Sequence, residues 1–86
     1  MKRTDLYKLA LDKYGVQAQQ LMLVEECSEL QKAILKGLRG SINIDELVDE
    51  IADVEIMCEQ VKLIHDIGAL VKARKKFKKR RLEKRV

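Results

Sequence analysis

Along residues 16–36 apolar side chains recur three and four apart, at Ala18, Leu21, Val24, Leu30, Ala33 and Ile34, in an 86-residue chain that contains no proline. This is the 3.6-residue period of an α-helix, and no proline breaks it, so the segment is predicted to be one long helix that stops at the GLRGS run of residues 37–41. A second long helix is predicted to start from a cap at Ser41 or Asn43. It places Asp45 and Glu46 in a first turn where the helix dipole favours acids. Leu47, Ile51, Val54, Met57 or Cys58, and Val61 then carry it to an end near His65. A short loop between two long helices makes them antiparallel neighbours. A weakly apolar helix over about residues 4–14 precedes them, with Thr4 or Asp5 as its cap and Gly15 as its stop. After Gly68 a last helix spans about residues 69–84, its apolar content reduced to Leu70, Val71, Phe77 and Leu82 among cations.

No segment alternates with the two-residue period of a strand, so the expected class is all-α, a single domain over residues 1–86. A chain this short buries only roughly 60% of its unfolded surface. The expectation is therefore an antiparallel helical hairpin that gains further core by oligomerisation. A content of 47% hydrophobic residues excludes a disordered chain. No apolar run approaches the ~20 residues of a membrane span, and the basic start MKRTDLYK leads into no signal-peptide core, so a cytoplasmic protein is expected. Cys27 and Cys58 lie within helical apolar patterns, far from any CxxC or histidine partner, and are read as reduced core thiols. The net charge of +4 is unevenly spread: residues 72–86, KARKKFKKRRLEKRV, hold ten cations and one acid, and the rest of the chain is acidic. That polarity permits a phosphorylated partner, whether nucleotide or nucleic acid.

The stretch VEECSELQKAI, residues 24–34, sets acids among apolar neighbours. Glu26 and Glu29 are three apart, as are Glu50 and Asp53, so each pair shares a helix face about one turn apart. The two pairs are equally far from the midpoint between Arg39 and Gly40, and a hairpin folded there brings them level. Four converging carboxylates repel strongly unless cations neutralise them. An all-oxygen, highly anionic site suits Mg²⁺, or Mn²⁺ as a substitute, whereas zinc prefers His or Cys. A di-iron bundle would show Glu-x-x-His, and the only histidine, His65, has Lys62 three residues before it. His65 is read as a helix-end residue favoured by the dipole. Spacing alone leaves open a solvated acidic face paired with Lys32 or Lys36.

Glu25-Glu26-x-x-Glu29 followed by Glu50-x-x-Asp53 resembles the EExxE…ExxD signature of the MazG-like all-α nucleoside triphosphate pyrophosphohydrolases. LVEECSELQKAI and DELVDEIADVEIMCEQVKLI are similar to the small phage and prophage branch of that family, and the likeness covers nearly the whole chain. The resemblance implies a four-helix-type bundle completed by oligomerisation, in which Glu26, Glu29, Glu50 and Asp53 bind Mg²⁺ and Glu25 has a supporting role, either behind the ligands or orienting water. It implies hydrolysis of a nucleoside or deoxynucleoside triphosphate between the α and β phosphates, giving monophosphate and pyrophosphate, in a homodimer or homotetramer. Alignment with the family's terminal basic positions names Lys78 and Arg81 as phosphate-binding residues. Larger members carry a KxxxN-type element in the last helix, and this tail has no Asn. With no Trp in the chain, Tyr7 and Tyr14 are the aromatics available either to stack on a base or simply to pack.

Two other classes stay open. One is a small basic helical protein that uses KARKKFKKRRLEKR against nucleic acid; no helix-turn-helix, zinc-finger or RNA-recognition motif accompanies it, so nucleic acid is not the expected partner. The other is a helical dimerisation module without catalytic activity.

Overall fold

The computed structural model describes all 86 residues as four α-helices and no strand: α1 Arg3–Tyr14, α2 Val16–Leu38, α3 Ile44–His65 and α4 Gly68–Arg85. α1 begins before the expected caps. Lys2 stands at its N-cap without a side-chain bond, and Asp5 instead lies in the first turn, where its charge suits the dipole. Gly15 closes α1 by donating its N–H to the Leu11 carbonyl at 2.9 Å. Its φ of 92° and ψ of 153° lie in a region essentially reserved for glycine, which lets α2 start at the very next residue. α2 runs two residues beyond the predicted end at Lys36. Asn43, not Ser41, caps α3, its side-chain oxygen accepting the Glu46 N–H at 3.1 Å. Asp66 ends α3 in the left-handed region, φ 51°, which a short polar side chain tolerates.

α2 and α3 pack antiparallel and make most of the contacts between elements; α1 touches α2 and α4 touches α3 only lightly. The buried positions of the hairpin are Gln19 and Ala33 on α2 and Met57 and Gln60 on α3. Gln19 Nε2 donates to Gln60 Oε1 at 2.7 Å. These two glutamines are equally far from the midpoint between Arg39 and Gly40, so the hairpin adopts the register that the acidic pairs predict. A seven-residue step turns a helix by only about 20° from its starting face. Gln19, Glu26 and Ala33 therefore form one line on α2, and Asp53 and Gln60 one on α3, with Glu50 and Met57 beside it.

The chain on its own is open. Its radius of gyration is 15.5 Å, against about 12 Å expected for a compact domain of this length. Five of 86 residues are buried, two of them glutamines, while Leu21, Val24 and Leu35 on α2 and Val48 and Ile56 on α3 stay exposed. α4 buries no residue. Both cysteines are free thiols, but only Cys27 is even half-buried; Cys58 is exposed and is not the core thiol expected. Met57 takes the inward position, and adjacent residues on a helix point about 100° apart. No helix is long and apolar enough to cross a membrane.

Candidate metal centre

Three carboxylates meet between α2 and α3. One oxygen each from Glu26, Glu50 and Asp53 lies within 4.8 Å of the others, with Glu26 and Glu50 half-buried and Asp53 exposed. Glu26 is drawn inward because it lies on the α2 line between buried Gln19 and buried Ala33, so the face that forms the hairpin core also carries the acid. Asp53 stands on the matching line of α3, and Glu50 precedes it by one turn. Glu50 Oε2 has no solvent access and no hydrogen-bond partner.

Crowding of like charge shows in the acidities. Burial raises the Glu26 carboxyl above its ordinary value, and the close approach and charge of Asp53 and the charges of Glu50 and Glu25 add to it. Glu50 is likewise raised, first by burial, then by Asp53, Glu29, Glu46 and Asp49. None of the chain's three ion pairs involves Glu26, Glu50 or Asp53. A buried oxygen without a donor, among carboxylates without a cationic side chain, fits a hard divalent cation held by oxygen ligands.

The remaining predicted residues are placed differently. Glu29 is outside the trio and exposed; its carboxylate pairs with Lys32 at 3.5 Å, although its charge still bears on Glu50. Glu25 is exposed, about 100° around α2 from Glu26, and acts on it through charge. Lys36 reaches Glu46 at 3.2 Å. Lys78 and Arg81 are exposed on α4 and enter no ion pair, and the Arg81 guanidinium lies 6.0 Å from the Phe77 ring centroid. Tyr7 is a buried packing residue whose hydroxyl donates to Glu59 Oε2 at 2.6 Å, and that bond is the first cause of its raised pKa. Tyr14 is exposed, with the Lys13 ammonium 5.3 Å from its ring centroid. His65 ends α3 as expected, its Nε2 2.8 Å from Gln20 Oε1 and apart from the carboxylates.

Two features escaped the sequence reading. The Gln19–Gln60 pair was signalled by its seven-residue offset from Glu26 and Asp53. A cavity of about 900 Å³ where α3 meets α4 is lined by Lys62, Lys72, Lys75, Lys76, Lys79 and Arg80, and the i, i+3, i+4, i+7 spacing of its four α4 lysines was the available signal. No known protein family, curated protein or solved structure matches the chain.

Proposed function

We propose that this chain is a Mg²⁺-dependent nucleoside triphosphate pyrophosphohydrolase, acting in the cytoplasm on nucleoside or deoxynucleoside triphosphates and cleaving the anhydride between the α and β phosphates. The observation that carries the reading is the convergence of Glu26, Glu50 and Asp53, with Glu50 Oε2 buried and unpartnered. These three would hold the ion, and Glu29, one turn from Glu26 and now paired with Lys32, would be the fourth ligand. When bound, Mg²⁺ neutralises phosphate oxygens and makes a coordinated water more acidic, and Mn²⁺ serves in its place. Glu25, exposed and about 100° around α2 from Glu26, is assigned only a supporting role beside the ligands, such as orienting water. Lys78 and Arg81 are free of intrachain ion pairs and so available to grip the leaving phosphates. The unburied apolar side chains of α2 and α3 support a homodimer or homotetramer in which a second hairpin completes the bundle.

The test is a panel of NTPs and dNTPs with Mg²⁺ or Mn²⁺, assayed separately for pyrophosphate and orthophosphate. Pyrophosphate from at least one substrate, abolished in Glu50→Gln, is expected. Activity that survives the substitution removes the assigned site, and orthophosphate as the primary product contradicts α/β cleavage.

A further inference from the structure

α4 carries ten Lys or Arg and a single Glu, buries no residue and takes part in none of the chain's ion pairs. Like charges one turn apart repel, so the isolated helix is under a strain that an anionic partner would relieve. Its lysines are also arranged. Lys72, Lys75, Lys76 and Lys79 follow one face, Arg80 and the single acid Glu83 border it, and Lys62 of α3 lines the same cavity. From Lys72 to Arg80 the row is about 12 Å long at 1.5 Å per residue. Duplex nucleic acid presents one phosphate charge per about 1.7 Å of axis with both strands counted, or roughly seven over that length, so six cations match the phosphates of the two strands that flank one groove.

We infer that α4 together with Lys62 is a binding site for the phosphate backbone of double-stranded nucleic acid, independent of base sequence. The absence of a recognition motif concerns base reading, not backbone binding, and α4 has no Asn, Gln, Ser or Thr to read a base edge. Single strands need stacking platforms, and the one aromatic of α4, Phe77, has Arg81 over its ring. A lipid surface needs an apolar stripe; Leu70 and Phe77 lie within about 20° of one line, but Arg74 and Arg81 stand within about 60° of it and Leu82 about 140° around the helix from Phe77. Protein interfaces are depleted in lysine, which dominates here, and the cavity's apolar lining is limited to Ala69, Val71 and Ala73. The inference does not rest on the carboxylate site.

The experiment is fluorescence anisotropy of a labelled mixed-sequence 20-base-pair duplex titrated with the full chain between 50 and 200 mM salt. With six contacts, log K against log salt has a slope of about −5, and affinity falls about a thousandfold across the range. Lys72→Gln/Lys75→Gln/Lys76→Gln/Lys79→Gln keeps helix-favouring side chains on an exposed helix, as circular dichroism checks, and reduces the slope to about −2. No binding at 50 mM salt, or an unchanged slope in the variant, overturns the inference. So does binding to phosphatidylserine vesicles without binding to the duplex. A wild type that ignores the duplex but sediments as an oligomer, while the variant sediments as a monomer, would assign α4 to a second copy's acids and overturn it as well.

Discussion

The Gln19–Gln60 bond lies two turns from the carboxylates on the same interhelical line, and its removal tests the register that brings Glu26 and Asp53 together. Gln19 is 7% exposed and Gln60 4%, so water cannot replace a lost partner. Gln60→Leu leaves the Gln19 amide buried beside an apolar side chain; Gln19→Leu leaves Gln60, whose amide otherwise meets only the weakly accepting Met57 sulfur at 3.7 Å. Stranding a buried amide costs about 1–3 kcal/mol, whereas replacing both partners with apolar groups of similar size is close to neutral. Each single variant should therefore lose about 2 kcal/mol, the double variant should recover to near the wild type, and the coupling should be about 2 kcal/mol. With a urea m value of about 2 kcal/mol/M, the midpoint drops by about 1 M in each single and returns in the double. Protein concentration must be held constant, because association of the exposed apolar faces would shift apparent stability. Singles within about 0.5 kcal/mol of the wild type, or strictly additive losses in the double, would refute the claim that this bond locks the hairpin.

Further outcomes follow from the same contacts. Glu26 and Glu50 have folded pKa values raised above the ordinary 4.5, so the folded state binds more protons than the unfolded one between 4.5 and the raised values. Their contribution to metal-free stability accordingly declines as pH rises through that window and levels off above it. Thermal melts across the window should show the decline, flatter in Glu50→Gln and reversed by Mg²⁺ only where the carboxylates have lost their protons; a contribution that rises with pH would contradict the crowding. Asn43→Ala removes the α3 cap and should cost about 1 kcal/mol in urea unfolding, whereas Ser41→Ala should be neutral; equal effects would deny Asn43 its capping role.

How much of this was readable in advance follows the range of the interaction. The four helices depend on residues within one or two turns, and the periodicity of the chain contains that information, though it left the α3 cap open between Ser41 and Asn43. The level meeting of Glu26 and Asp53 was readable too, because a short turn and the constant rise of two helices leave little freedom in register. Facing was harder. Glu29 shares a side with Glu26 in the sequence pattern, yet it turns out to Lys32, because a few tens of degrees of helix rotation, set by contacts such as Gln19–Gln60, decide which acid points inward. The choice of Met57 over Cys58 is of the same kind.

The amino-acid sequence by itself determined an all-helical chain, its hairpin register and an acidic centre at one height along it, since periodicity and spacing are local and additive. Tertiary structure decided which carboxylates close into a trio and which oxygen is left without a donor, and it brought Tyr7 to Glu59, 52 residues away. It also brought Lys62 to the same cavity as the lysines of α4. These are rotations and meetings between helices, governed by side-chain packing through space, which no spacing along the chain encodes.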